Sequence, residues 1–322
     1  MKTHYVGLVG DVGGTNARFA LVDSEGRVRN LHVYAADNYG SLAEIIADFL
    51  ERTMGRKRPP RAVIAVAGPV MDGEIEFTNL DWQVSEGDLL AQFEFEGVRL
   101  INDFSAQALA CPLLTAVEQR VLGPAIRGAS DAPVVVLGAG TGFGAAGLAR
   151  GERGDTAIAG EGGHAAFAPT DDVEFAAWKR LKARYGRVSI ERLLSGQGLY
   201  DLYETVCEVR GQAPKLADQV AVTEAGNAGD ELAGETLDRF CGILGSVAGD
   251  LALTFGARGG VFISGGIAPR LSERLASGGF RQRFEDKGRL SVFVEQIPTS
   301  LVLHPYPAII GAARELEQMG RL

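Results

Sequence analysis

The amino-acid sequence predicts a mixed α/β protein of two lobes around a cleft. Three observations carry that prediction. Runs of β-branched apolar residues bounded by glycine and proline alternate with amphipathic helical stretches. A theme of apolar strand, glycine turn and second strand occurs twice. With 322 residues, 46% of them hydrophobic and 23% charged, the chain has a globular composition and more length than one core usually takes.

The opening YVGLVGDVGGTNARFALVD reads as a hairpin with an oversized glycine turn. Val6, Leu8 and Val9 lead into the turn, and Arg18, Phe19, Ala20, Leu21 and Val22 lead out of it. Ser41 followed by Glu44 makes a capping box, and Leu42, Ile45, Ile46, Phe49 and Leu50 share one helical face, so a helix is expected over 41–52. After the basic GRKRPPR, the run AVIAVAGP is a buried strand, and VRLINDF after Gly97 is another. The pattern loosens between Pro112 and Pro133. VVVLGAGTGFGAAGLARGERG then repeats the opening theme. Setting Gly10 on Gly138 puts Gly14 on Gly142, Ala17 on Ala145 and Leu21 on the residue after Leu148, which suggests two related halves. A helix follows from about Glu174 to Tyr185, ended by Gly186, and a long one from about Glu231 to Phe255, ended by Gly256. GGVFISGG is a buried strand. LVLHPYP and a helix from about Ala308 to Met319 close the chain, long enough to pack back on the first lobe. The expected domains are a small α/β one of residues 1–112 with 303–322 and a large α/β one of 113–302.

Charge and cysteine content exclude several function classes. A net charge of −9 and a sequence pI near 5.1 argue against a nucleic-acid surface, which needs a basic face, and leave small molecules as the expected ligands. The start MKTHYVGLVGDVGG has one lysine and no apolar signal region, so a cytoplasmic protein is expected. No run approaches the roughly 18 apolar residues of a membrane-spanning helix; VVVLGAGTGFGAAGLA is broken by five glycines. Cys111, Cys207 and Cys241 are odd in number and far apart, with neither CxxC nor Cys/His spacing, which excludes a disulfide framework and offers no zinc site.

The 43 glycines cluster in short runs. GDVGGT at Gly10–Thr15, GAGTG at Gly138–Gly142 and SGG at Ser264–Gly266 each leave an apolar strand. Consecutive backbone amides in such turns form a nest that binds phosphate, although a lone run is equally a tight hairpin. The Walker pattern GxxxxGK[ST] is absent. GxGxxG occurs at Gly142, Gly144 and Gly147, with Glu161 near the offset of a ribose-binding acid. A dinucleotide site needs a helix to begin inside that motif, whereas LARGERGDTAIA offers a polar turn between two apolar runs, so a dehydrogenase is only the runner-up. Asn102 and Asp103 follow the strand VRLI, where an aspartate either faces a ligand or caps the helix FSAQALA.

The ordered constellation GDVGGTNAR, INDF, GAGTGFG, GEGGH, ERLLSGQG and ISGGIAPR resembles bacterial ATP-dependent glucokinases of the actin, hexokinase and chaperone-ATPase superfamily, over essentially the whole chain. That resemblance implies the two-lobed actin-like ATPase fold, related to ribonuclease H, with ligands in the cleft. It implies transfer of the terminal phosphoryl of magnesium ATP to the 6-hydroxyl of glucose, giving glucose 6-phosphate and ADP as glycolysis begins. Gly10, Asp11, Val12, Gly13, Gly14 and Thr15, with Gly138, Gly140, Thr141 and Gly142, would clasp the phosphates, Asp11 orienting magnesium through water. Gly265 and Gly266 would take the adenosine. Asn102, Asp103, Glu161, His164 and Glu191 would bind the sugar, with Asp103 as the base, and Asn79 and Trp82 of FTNLDW would lie near it; Trp82 is equally a core residue. A homodimer is implied as well. No cysteine and histidine cluster follows His164, which places the chain in the zinc-free group, and the phosphate motif begins by Gly10, leaving no helix-turn-helix extension. Rival readings are a kinase for mannose or fructose and a catalytically silent sugar sensor.

Overall fold

The computed structural model describes residues 4–77, 80–152 and 154–320. The chain divides into two compact units. The first comprises Met1–Leu114, Gly151–Ala159 and His304–Leu322, and the second Thr115–Arg150 and Gly160–Leu303. The inclusion of Gly151–Ala159 in the first unit is a feature no sequence pattern announced; there the Asp155 N–H donates to Gln318 Oε1 at 3.0 Å.

The first unit opens with β1 (Tyr5–Val12), β2 (Asn16–Asp23) and β3 (Val28–Ala35), followed by α1 (Leu42–Met54) and β4 (Arg61–Val66). The short hairpin β5 (Glu74–Glu76) and β6 (Gln83–Ser85) leads into α2 (Glu86–Phe93), β7 (Gly97–Asn102) and α3 (Asp103–Ala110). The sheet order is β3-β2-β1-β4-β7, with β1 antiparallel to β2 and parallel to β4, and β4 parallel to β7. Strand alternation splits the apolar residues between two faces. Leu8, Phe19, Leu21 and Ile64 pack with Ile45, Ile46, Phe49 and Leu50 of α1. Val9, Ala20 and Val63 face the opposite side. α1 starts as its sequence signal requires: Ser41 Oγ accepts the Glu44 N–H. The Glu44 carboxylate accepts from Gly40 N–H at 2.8 Å, one residue before the cap.

The second unit contains β8 (Gln119–Val121), β9 (Val134–Ala139) and β10 (Phe143–Ala149); β11 (Thr156–Gly160) spans the point where the division falls. Next come α4 (Asp172–Tyr185), α5 (Gly196–Val209), α6 (Gln219–Asn227), α7 (Glu231–Phe255), β12 (Gly260–Ser264), α8 (Ser272–Ala276), α9 (Gly279–Glu285), α10 (Ser291–Val294) and β13 (Thr299–Val302). Of the six strands of this sheet, β11 lies at the β10 edge and the rest run β10-β9-β12-β13-β8, with β9 antiparallel to β10 and parallel to β12. That is the β2-β1-β4-β7 arrangement again, so the two halves share a topology. α7 has the predicted span, with the Asp230 side chain capping its start and Gly256 at φ +59° ending it. α5 and α6 were hidden in the sequence, because α5 begins in the glycine-rich SGQG and α6 is short.

The chain ends in α11 (Pro307–Met319), which belongs to the first unit. Ile309, Ala312 and Leu316 cover Val9, Ala20 and Val63, and a Cβ at Gly311 would lie 1.6 Å from Ala106 O. Glycine there lets α11 and α3 meet backbone to backbone.

Strand register corrects the internal alignment. Gly10 lies opposite Phe19, whereas Gly138 lies opposite Gly144. Counted from these glycines the second hairpin is therefore three residues shorter, and with the two glycines level Ala145 corresponds to Ala20, not Ala17. A gapless comparison cannot see a length change inside a hairpin, since glycines occur on both sides of it.

Candidate active site

In the first unit the expected residues gather at the carboxyl ends of parallel strands, where open α/β sheets place their ligands. Asp11 pairs in register with Ala65 and Val12 with Val66, and Val66 pairs in turn with Asn102. Asp11 and Asn102 therefore share one sheet edge, two strand spacings or about 10 Å apart. Gly10 and Val12 are buried within β1: a Cβ at Gly10 would lie 2.6 Å from the Phe19 ring, and the Val12 side chain is in the core. Gly13, Gly14 and the exposed Thr15 form the turn, closed by Gly13 N–H donating to Asn16 O at 3.0 Å. The Arg18 guanidinium, packed over the Tyr306 ring, donates to Asp11 Oδ2 at 3.0 Å. Burial pushes the Asp11 carboxyl up, and the charge and hydrogen bond of Arg18 draw it partly back.

Asn102 answers the question left open at the start of α3. Its Oδ1 accepts the N–H groups of Phe104 and Ser105 at 2.9 and 3.1 Å, and its Nδ2 donates to Gly68 O at 3.1 Å. Asn102, not Asp103, is the cap. An amide so engaged has one N–H left, so toward any ligand it could only donate. Asp103 is half-buried in the first helical turn, its Oδ1 accepting from Phe104 N–H at 2.9 Å, where the helix dipole favours negative charge. Trp82 is buried edge-on to Phe77, which is the core reading of that residue. Asn79 lies outside the described residues.

In the second unit two glycine turns meet. Ser264 is in register with Gly138, a Cβ at Gly265 (φ +84°) would lie 2.4 Å from Ala139 O, and Ile267 N–H donates to that same oxygen. The expected phosphate turn, Gly140, Thr141 and Gly142, thus lies beside the expected adenosine turn, Gly265 and Gly266. Glu161 and His164 bracket a short helical turn, both exposed, with His164 N–H donating to Glu161 O at 3.0 Å. Gly163 between them is buried, and a Cβ there would lie 2.3 Å from Phe143 O. Glu191 is half-buried, and its Oε2 accepts the Phe143 N–H at 2.8 Å at the foot of the phosphate turn. The next residues hold both neighbours: Ile190 N–H donates to Ala165 O, and Gly196 N–H to Gly140 O.

A sequence profile described as Glucokinase matches residues 8–319. The glucokinase of Caulobacter sp. strain K31 is 49% identical over 319 residues, covering 98% of this chain and 96% of that one. The chain belongs to the glucokinase family. The crystal structure of a glucokinase from an Antarctic psychrotroph, 37% identical, superposes with a TM-score of 0.87 over 97% of this chain and 98% of its own. A ROK family glucokinase from Streptomyces griseus, solved in complex with glucose and AMPPNP, is 20% identical with a TM-score of 0.64 over 97% and 99% of the two chains, a likeness of fold. The fold is thus the actin-like ATPase fold of these sugar kinases.

For this family member, sequence reasoning missed three participants. Arg18 sat inside the quoted GDVGGTNAR run, but its facing of Asp11 depends on the turn length. Gly68, whose carbonyl orients the Asn102 amide, carried no chemical signal. Arg187, whose guanidinium donates to His164 O at 2.8 Å, looked like one surface cation among many. The three cysteines are buried thiols, and burial pushes Cys241 up to about 12, so none is a candidate nucleophile. Among the described residues, no group of three His, Cys, Asp or Glu is placed to hold a metal ion.

Proposed function

We propose that this chain phosphorylates glucose, moving the terminal phosphoryl of ATP to the 6-hydroxyl and releasing glucose 6-phosphate and ADP. The observation that carries the reading is the carboxyl-end edge of β1-β4-β7, where Asn102 takes the capping role and Asp103 stands beside it in the first turn of α3. As the sugar oxygen bonds to phosphorus and the bond to the departing ADP oxygen breaks, the hydroxyl proton passes to the Asp103 carboxylate. Asn102 donates to a sugar oxygen, and Glu161, His164 and Glu191 accept from or donate to the other hydroxyls, the complement a polyol ring requires. The amides of the Gly13–Thr15 and Gly140–Gly142 turns cradle the phosphates, and the Gly265–Gly266 turn takes the adenosine. Glucose and AMPPNP in the Streptomyces griseus relative support these two substrates.

Magnesium fits the donor set on this edge: one carboxylate, Asp11, matches an ion that arrives with phosphates and keeps most of its waters. Bound there, it would neutralise charge building on the phosphates. The proposal keeps the small and large domains read from the sequence, residues 1–112 with 303–322 and residues 113–302. A cytoplasmic homodimer completes the reading, supported by family resemblance; among the described residues no helix is long and apolar enough to cross a membrane. A coupled ADP-release assay across glucose, mannose and fructose tests the proposal. Glucose should give the highest kcat/KM, and no turnover with any hexose would leave the silent sensor.

A further inference from the structure

Residues 187–196 touch both halves of the second unit's chemistry. On one side, Arg187 Nη1 donates to His164 O at 2.8 Å and Ile190 N–H donates to Ala165 O at 3.0 Å, so this stretch holds the turn that displays Glu161 and His164. On the other, Glu191 Oε2 takes the Phe143 N–H at 2.8 Å and Gly196 N–H donates to Gly140 O at 2.9 Å, clamping the phosphate turn at both feet. Between these contacts Leu193 and Leu194 are fully buried, and Ser195 caps α5. Main-chain bonds and buried leucines thus tie both turns to one segment.

We infer that Glu191 is a positioning residue that couples hexose binding to the conformation of the Gly140–Gly142 turn, so that each substrate raises affinity for the other. The inference rests on the proposed sugar role of Glu191 and adds a second task for the same carboxylate. A carboxylate offers about four lone-pair sites, and the Phe143 N–H occupies one of them. A sugar hydroxyl donating to the others fixes the side chain in the rotamer that holds the turn. Ordering the turn lowers the entropy that the nucleotide's phosphates must otherwise remove, and linkage makes the effect reciprocal.

Gly142 provides a test that leaves every sugar-binding side chain chemically unaltered. A Cβ there would lie 2.5 Å from Glu191 Oε2 and touch no backbone, and Gly142 is not among the residues with positive φ. Gly142→Ala therefore displaces the end of a flexible side chain and spares the fold. Glucose affinity is measured calorimetrically without nucleotide, and AMPPNP affinity with and without saturating glucose, in wild type, Gly142→Ala, Glu191→Gln and Glu191→Ala. In wild type, glucose should tighten AMPPNP by about five- to fiftyfold. Gly142→Ala should weaken glucose alone by about tenfold, the size of one hydrogen bond to a charged group. Glu191→Gln, which keeps an acceptor for the Phe143 N–H, should retain most of the coupling, and Glu191→Ala should bring it close to one. Glucose tightening AMPPNP as much in Glu191→Ala and Gly142→Ala as in wild type, with Glu191→Ala still weakening glucose itself, would overturn the coupling and leave the sugar role standing. Glucose binding unchanged in Glu191→Ala would overturn both. Equal loss of coupling in Glu191→Gln and Glu191→Ala would overturn the acceptor contact as its carrier.

Discussion

The two glycine hairpins begin from one sequence theme and end as different devices. In the first unit the turn between β1 and β2 closes on itself through Gly13 and Asn16, and it carries charge: Asp11 and Arg18 face each other across the strands. In the second unit the hairpin of β9 and β10 is three residues shorter counted from Gly138, and its turn has no charged residue of its own and is held from outside by Glu191 and Gly196. The first hairpin thus carries chemistry of its own, an ion pair. The second is positioned by contacts from a later segment. A repeated backbone motif fixes where amides point, while the chemistry comes from the residues flanking it.

The largest expected effect tests the chemical half of that contrast. Asp103→Asn should fold normally and bind glucose within about tenfold of wild type, while kcat falls about 10²- to 10⁴-fold, the usual worth of a general base. Calorimetry with steady-state kinetics checks this, and a fall smaller than tenfold would move the base elsewhere.

The positional half predicts a different signature. Glu161→Gln and His164→Ala should raise the KM for glucose about ten- to a hundredfold, as expected for one charged hydrogen-bond partner, and leave the KM for ATP within about threefold. Equal rises in both constants would mean damage to the turn instead of loss of a sugar contact.

A smaller effect probes how tightly the second unit's turns are packed. Gly163→Ala puts a methyl 2.3 Å from Phe143 O, a backbone atom that cannot swing away. It should cost about 1–3 kcal/mol, as overpacking does. Thermal unfolding should show it, with the Gly142→Ala protein, whose methyl meets only the end of the Glu191 side chain, staying close to wild type. Comparable losses in both would show that the two turns are equally rigid.

The smallest expected effect is none. Exhaustive dialysis against a zinc chelator should leave the unfolding temperature unchanged, because the three thiols are buried and dispersed. Stoichiometric zinc with lost stability on removal would place a metal in the second unit that its sequence does not announce.

Periodicity and punctuation alone determined much of this protein. The helix cap Ser41, the stops at Gly186 and Gly256, the buried strands and the doubled hairpin theme are local matters, set by neighbours a few residues away, and so they can be read along the chain. The glycine runs and the INDF, GEGGH and SGG segments were legible for the same reason. What needed tertiary structure was each case where two segments distant in sequence share an atom. Asp103 could be read as the cap or as a ligand-facing group until the Gly68 carbonyl and the α3 amides gave the cap to Asn102. Glu191 lies 48 residues from the Phe143 amide it holds, and Arg187 lies 23 from His164. Arg18 faces Asp11 only because the turn between them has its particular length. Hydrogen bonds act over about 3 Å, so their partners are chosen by how strands register and helices pack, and no local pattern records that choice.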